Sequence, residues 1–421
     1  MNRIIANGLI CSGEITAIPS KSDAHRLLLC AALADAPTEI VVGTGELSAD
    51  IDATMACINA LGGRVDKTND TLCVTPIDRS ARMAPVTCDC GESGSTARFL
   101  LPIAAVLGQS FPITLIGHGR LPQRPFAPLC DALRTGGAQI ERDLLPITAS
   151  GCLRAGEYRI AGNISSQYIT GLLLALPMLG GESRISLTSP LESRGYVDMT
   201  LSTLARFDIH VLVDAQGYTI PAARYRSPGR IIADGDWSNA AFWLCAGAIS
   251  QTVTMTGLSA DSCQGDRRIL DILRRFGAEV TATPDAISVS PVPLHGITVS
   301  VADIPDLVPI LAVVAAAAEG ETRFTDAARL RLKESDRLAT VSALICDLGG
   351  EAYIENDTLI VCGGHRLRGG VADSANDHRI AMSAAIAALI CTSPVELIGA
   401  DAVAKSYPAF WADYMRLCRP T

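Results

Sequence analysis

Leu61-Gly62-Gly63-Arg64-Val65 joins the aliphatic end of a helical pattern to a glycine and then to a run of β character. The same order returns at Gly136-Gly137-Ala138-Gln139-Ile140, Phe276-Gly277-Ala278-Glu279-Val280 and Leu348-Gly349-Gly350-Glu351-Ala352, with a weaker copy at Phe207-Asp208-Ile209-His210-Val211. A glycine after a helix has a local cause, because it accepts the left-handed turn that ends the helix. The spacing has no local cause. Aligning Gly62, Gly137, Asp208, Gly277 and Gly349 gives intervals of 75, 71, 69 and 72 residues. A fixed period of this kind marks repeated supersecondary units, about six of ~70 residues each over the chain.

Each unit reads as strands alternating with an amphipathic helix, as in the helical pattern of residues 95–108 followed by a strand pattern at 109–118. The expected class is α/β, with three units to a domain and two domains of similar shape. The last helix, residues 409–417, is expected to end the chain without its strand, so the N-terminal strand at residues 3–10 completes that unit. The chain then crosses between domains twice, at residues 16–20 and 226–234. This predicts one lobe of residues 1–17 plus 234–421 and another of residues 18–233.

Composition narrows the function classes. The 421 residues are 48% hydrophobic but only 5% aromatic and 19% charged, so the cores are built from small aliphatics. A net charge of −9 gives no bulk attraction to nucleic acid, and any anion site must be local. The longest apolar run, residues 307–318, is shorter than the ~20 residues of a membrane span. The first residues lack the basic-then-apolar pattern of a secretory signal, so a cytoplasmic protein is expected. The fourteen cysteines are scattered, with Cys88 and Cys90 the one close pair, and read as reduced structural residues rather than a metal site. Of 35 basic residues only four are lysine: Lys21, Lys67, Lys333 and Lys405. Lysine is a compact charge that can shuttle a proton, which arginine cannot.

Three of those lysines fall in segments with one common character, cations and hydroxyls at helix starts. Pro19-Ser20-Lys21-Ser22-Asp23-Ala24-His25-Arg26 opens an Ala/Leu helix, and Ser22 and Arg26 share its face. Helix N-termini offer unpaired N–H groups and positive potential, so this is an anion cradle, although not a P-loop. Gly91 to Arg98, with Gly94 allowing close backbone approach, reads the same way. Arg120 and Arg124 flank a turn, with Pro125 expected to open the helix that follows; guanidinium forks grip carboxylate or phosphate. Asn163-Ile164-Ser165-Ser166-Gln167 and Ser193-Arg194-Gly195-Tyr196 suit a polyhydroxylated, phosphorylated ligand. Later come Asp306 before an apolar helix, where a capping role is the plainer reading, and then Arg329 to Arg337, where Lys333 and Arg337 converge if the segment is helical. Asn376-Asp377-His378-Arg379 and Ala404-Lys405-Ser406-Tyr407-Pro408 complete the set. Helix starts from both lobes facing one cleft would focus a multiply anionic substrate pair within an acidic protein.

SKSDAHR (20–26), GESGSTARF (91–99), QRPF (123–126), NISSQ (163–167), SRGY (193–196), IPD (304–306), LKESDR (332–337), NDHR (376–379) and AKSYP (404–408) occur in the order and spacing of the EPSP synthases, and the chain resembles that enolpyruvyl transferase family over nearly its whole length. The resemblance implies a two-domain inside-out α/β barrel, each domain of three βαβαββ units. It implies enolpyruvyl transfer from phosphoenolpyruvate to the 5-hydroxyl of shikimate 3-phosphate, with release of phosphate and no cofactor or metal. Lys21, Ser22, Arg26, Ser165, Ser166, Gln167, Ser193, Asp306, Arg329 and Lys333 would bind shikimate 3-phosphate. Lys21, Gly94, Arg124, Gln167, Arg337, Arg379 and Lys405 would bind phosphoenolpyruvate. Asp306 and Glu334 would be the proton-transfer pair, assisted by Lys21. The expected state is a monomer with small-molecule partners, no nucleic acid and no membrane. Ala24, Glu92, Phe99 and Arg329 depart from the usual family residues. Two alternatives are set aside. A UDP-N-acetylglucosamine enolpyruvyl transferase usually carries a catalytic cysteine where this chain has Gly119. A non-catalytic anion-binding relative has no need to keep Asp306, Glu334 and Lys405.

Overall fold

The computed structural model of the chain describes residues 1–43, 45–79, 84–109 and 111–420. It divides into two compact units, Met1–Ile18 with Asp234–Thr421, and Pro19–Ala233.

The Pro19–Ala233 unit holds helices α1 (Lys21–Leu33), α2 (Ala49–Ala60), α3 (Gly94–Leu107), α4 (Ala127–Thr135), α5 (Ser166–Ala175) and α6 (Arg194–Arg206). Three four-stranded sheets accompany them, and all three follow one pairing rule. Glu157–Ile160 runs parallel to Ser183–Leu187, which runs antiparallel to Gly217–Ile220, which in turn pairs antiparallel with the edge strand Leu212–Asp214. Val86–Asp89, Ile113–Ile116, Ile147–Gly151 and Ala138–Ile140 repeat that rule. So do Arg230–Ile232, Thr38–Val41, Thr71–Thr75 and Arg64–Thr68, where the parallel partner comes from the far end of the unit. α1, α3 and α5 are buried on nearly every face, and beyond their polar starts their sequences are apolar around the full turn rather than along one stripe.

The other unit contains α7 (Trp237–Ile249), α8 (Ile269–Phe276), α9 (Val308–Ala317), α10 (Arg337–Asp347), α11 (His378–Ala387) and α12 (Phe410–Leu417). Its sheets Gly13–Thr16, Val253–Thr256, Ala286–Ser290, Glu279–Ala282 and Thr298–Ser300, Glu321–Thr325, Thr358–Cys362, Glu351–Glu355 follow the same rule. A further sheet joins Gly370–Asp373 in parallel to Val395–Ile398, with Arg3–Ile5 antiparallel on the other side. α7, α9 and α11 form the buried helical centre, dense in alanine and valine so that their backbones approach closely.

The five aligned repeat positions share one backbone feature. Gly62, Gly137, Asp208, Gly277 and Gly349 all have positive φ, from 63° at Asp208 to 104° at Gly137 and Gly277. Each follows a helix and precedes a strand, so the left-handed residue reverses the chain. Several local expectations are corrected. The strand after Asp208 lies at Leu212–Asp214, with all three residues exposed, and not at residues 209–211. The pattern at 109–118 narrows to Ile113–Ile116, and Ser110 lies outside the described residues. The chain does not end on its last helix. Cys418–Pro420 forms a strand against Leu9–Cys11, so the N-terminal segment is used as two short strands, broken at Asn7-Gly8, where Gly8 has φ +71°. The helix after Arg124 begins at Ala127 with Pro128 in its first turn, so Pro125 precedes it without opening it.

Candidate active site

In the Pro19–Ala233 unit the singled-out residues sit at helix starts. Ser20 caps α1 by accepting the Asp23 N–H, which leaves Lys21 and Ser22 in the first turn. Lys21 Nζ lies 2.8 Å from Asp50 Oδ2 at the start of α2, with both side chains largely buried. Arg26 is turned inward. Its guanidinium donates to Thr200 Oγ1 at 2.8 Å, to Tyr196 O at 2.8 Å and to Ser22 O, and burial pulls its pKa down to about 10. It fixes α1 against α6.

Gly94 is the first residue of α3, behind the cap Ser93. A Cβ at Gly94 would stand 2.7 Å from Nη1 of Arg124 and 2.7 Å from Nη1 of Arg98, so two guanidiniums converge where the side chain is missing. Arg98 donates to Gln167 Oε1 at 2.8 Å and lies over the rings of Phe126 and Tyr168, while Gln167 Nε2 donates to Ser95 Oγ at 3.0 Å. Stacked and hydrogen-bonded, this arginine is pre-organised to hold an anion. Ser165 caps α5, and Ser166 is its first residue. Ser193 sits buried before α6 at φ +55°, a left-handed conformation that marks a held position. Buried side chains tie these helix starts together. His25 Nδ1 meets Thr54 Oγ1 at 2.8 Å, Thr54 meets Thr96 at 2.7 Å, and Thr96 donates to Ser93 Oγ at 2.8 Å.

In the other unit the predicted residues gather on Asp306. Its carboxylate receives Lys333 Nζ at 3.2 Å, Arg337 Nη1 at 2.6 Å and Arg379 Nη2 at 3.1 Å. Capping is not its role, because α9 starts at Val308 with Leu307 as the N-cap. Lys333 and Arg337 do converge, but not on one helix face. Ala328–Leu332 is a 3-10 turn, Lys333 is extended, and Arg337 opens α10, so a bend brings the two cations to one carboxylate. Arg329 is half-buried in the 3-10 turn, and its charge acts on Lys333. Lys405 donates to Asn376 O at 2.8 Å, just ahead of α11.

Arg337 is the organising residue. Fully buried, it reaches Asp377 at 2.8 Å, Glu334 at 2.7 Å and Asp306 at 2.6 Å. Burial works against its charge, yet Asp377, Glu334 and Asp306 together hold its pKa well above the ordinary arginine value. Asp377 feels the same balance in reverse: burial raises its pKa, and Arg337 and His378 outweigh that to leave it low. Burial lowers the pKa of Lys333, with Asp306 opposing. This ammonium therefore gives up a proton more readily than an exposed lysine. Sequence reading left Arg98, Asp50 and Asp377 without roles. Arg98 lay inside the quoted Gly91–Arg98 segment, four residues after Gly94 on the same helical face; Asp50 carried no such signal.

Residues 7–414 match the family model "EPSP synthase (3-phosphoshikimate 1-carboxyvinyltransferase)". The 3-phosphoshikimate 1-carboxyvinyltransferases of Clostridium kluyveri and Clostridium acetobutylicum are each 39% identical to the chain, covering 99% of it and 97% of their own length. Among solved structures, the EPSP synthase of Acinetobacter baumannii superposes with a TM-score of 0.81 at 25% identity, covering 99% of this chain and 98% of that one. The enolpyruvyl transferase NikO of Streptomyces tendae shares the fold, with a TM-score of 0.77 at 17% identity over 99% and 98% of the two chains. A family match across nearly all of the sequence, together with relatives 39% identical over 97% of their own length, places the chain in one group: it belongs to the EPSP synthase family.

Proposed function

We propose that the chain transfers the enolpyruvyl group of phosphoenolpyruvate to the 5-hydroxyl of shikimate 3-phosphate, in the route to aromatic amino acids, and that residues of both units serve this one reaction. The observation that carries the residue assignments is Asp306, a carboxylate ringed by Lys333, Arg337 and Arg379, with Glu334 on the same guanidinium. The reaction needs a base at the attacking hydroxyl and an acid at C3 of phosphoenolpyruvate. Asp306 takes the hydroxyl proton as oxygen attacks C2, and Glu334 delivers a proton to C3, with Lys21 assisting. Glu334 then takes a proton back from the C3 methyl of the tetrahedral adduct as the bond from C2 to the phosphate oxygen breaks, which restores the C2–C3 double bond and releases phosphate. Fixed cations stabilise the charge that builds on the leaving phosphate.

Gly94, Arg124, Gln167, Lys21, Arg379, Lys405 and Arg337 are assigned to phosphoenolpyruvate. The gap at Gly94 with two guanidiniums over it supports this for Arg124. Arg337 reaches substrate only by exchanging one of its carboxylate partners. Ser22, Arg26, Ser165, Ser166, Ser193, Arg329, Lys333 and Asp306, with Lys21 and Gln167, are assigned to shikimate 3-phosphate. Arg26 acts there through the α1 and α6 geometry that it holds. The repeated sheet rule supports an inside-out barrel of six βαβαββ units, three in each of two lobes, as the finer fold. No helix among the described residues is long and apolar enough to cross a membrane, and a cytoplasmic monomer acting on small molecules is the proposed setting.

Phosphate release from phosphoenolpyruvate tests the reading. Release that requires shikimate 3-phosphate is expected. Release that instead requires a UDP-sugar, or no release with either, overturns it.

A further inference from the structure

The two ends of the chain bring two thiols together. Leu9–Cys11 and Cys418–Pro420 pair antiparallel, with Cys11 directly opposite Cys418. The backbone groups of Cys11 are turned away from that partner: its N–H donates to Ser250 Oγ at 2.9 Å, and its carbonyl accepts the Gln251 N–H at 3.2 Å. The next pair along is the hydrogen-bonded one, since the Ser12 N–H donates to Leu417 O at 3.2 Å. Cys11 and Cys418 are therefore a non-hydrogen-bonded pair, whose α-carbons stand about 4.5 Å apart with their side chains on one face. A disulfide requires an α-carbon separation of roughly 4.4–6.8 Å, so these sulfurs can bond with the strands in place. Burial agrees, with Cys11 0% and Cys418 5% exposed on the core side and Arg419 turned to solvent. Both thiols are free. The cysteines of other strands face different residues: Cys73 lies opposite Glu39 and Asp66, Cys88 opposite Leu115, and Cys362 opposite Glu321 and Glu351. Cys57, Cys88 and Cys90 gather in the Pro19–Ala233 unit, but each of those thiols donates to a backbone carbonyl.

We propose that Cys11 and Cys418 are a modification site, which a low-molecular-weight disulfide such as oxidised glutathione converts to an intramolecular disulfide that clasps the last strand to Leu9–Cys11. With the strands docked the site is closed. The hydrogen bond with Cys11 first, then burial, raise the pKa of the Cys418 thiol, and the thiolate is the attacking form. The last strand is only three residues long, with Arg419 and Pro420 exposed, so it lifts away at little cost. Once free, the Cys418 thiolate attacks one sulfur of oxidised glutathione, whose S–S bond breaks. A mixed disulfide forms and one glutathione leaves. The Cys11 thiolate then attacks the Cys418 sulfur and expels the second glutathione. Two protein thiols and one oxidised glutathione thus give one protein disulfide and two reduced glutathiones. The ring so closed takes in nearly the whole chain, the case in which a cross-link restricts the unfolded state most. In the cytoplasmic setting proposed above, such a bond answers an oxidant and is reversed when reducing thiols return.

The test exposes the folded wild-type chain to oxidised glutathione, alkylates the remaining thiols in denaturant and maps the peptides by non-reducing mass spectrometry. Two of the fourteen thiols are expected to disappear, in one peptide pair that joins Cys11 to Cys418, with no glutathione retained. The thermal midpoint is expected to rise by about 5 °C and to fall back on reduction. Cys11→Ser, which removes the resolving thiol, is expected to trap one glutathione on Cys418 and to show no rise. If that variant does not fold, the wild-type map and melt decide alone. Fourteen thiols still alkylated, a disulfide between other cysteines such as Cys57 and Cys88, or a Cys11–Cys418 bond that leaves the thermal midpoint unmoved would each overturn the proposal.

Discussion

At Gly94 the missing side chain is the feature on which the proposed phosphoenolpyruvate contact rests. A methyl group there would press on Nη1 of both Arg98 and Arg124 at 2.7 Å, and the arginines would have to part. Gly94→Ala is expected to raise KM for phosphoenolpyruvate about tenfold, the scale of one weakened charge-assisted contact, while the melting temperature hardly changes. Initial-rate kinetics and a thermal melt check both halves. His25 supplies a prediction about pH. Burial first, then Lys21 and Arg26, push its pKa well below the ordinary histidine value, so the folded chain holds the ring neutral. A group with a depressed folded pKa gives stability that is complete above the unfolded value and is lost as pH falls. Stability should therefore drop below about pH 6.5, by up to ~1.4 kcal/mol per pH unit from this residue. Urea midpoints at pH 7 and pH 5 should differ less in His25→Gln than in the parent. Part of the pattern was legible: in an arginine-rich chain Lys21, Lys333 and Lys405 stand out, and Lys21 and Lys333 each meet a carboxylate. Asp50 opposite Lys21 and Asp377 opposite Arg337 were not legible as partners, because pairing across 29 or 40 residues is decided by packing.

Helix ends carry much of the organisation at the scale of elements. Asp377 caps α11 by accepting the Arg379 N–H at 3.0 Å and also faces the buried Arg337 guanidinium at 2.8 Å. Asp377→Ala removes a cap and strands part of a buried cation, so a loss of about 3–5 kcal/mol is expected by urea unfolding. Gly277 ends α8 at φ +104°. Gly277→Ala forces an L side chain into that conformation and should cost about 1–2 kcal/mol by the same measurement. The helix starts were readable because Ser and Asp caps precede apolar runs, as at Ser20, Ser93 and Ser165. The edge strand Leu212–Asp214 was misplaced because all three residues face solvent, so no buried alternation marks it. The bend at Lys333 was missed because a charged run fits a helix face equally well.

Across the whole molecule, the first residues complete two small sheets with strands from near the other end of the chain. Arg3–Ile5 lies on Val395–Ile398, and Leu9–Cys11 on Cys418–Pro420. The period of about 70 residues made the N-terminal strand's destination readable, since one unit lacked a strand. The terminal strand Cys418–Pro420 was not readable, because three residues after a helix carry too little pattern to count. Cations from both units are proposed to act on one substrate pair. The most direct measurement is shikimate 3-phosphate-dependent phosphate release by Arg124→Gln and Arg379→Gln, made separately. Each single change is expected to lower kcat/KM for phosphoenolpyruvate by about a hundredfold or more. Wild-type turnover in either variant would contradict it.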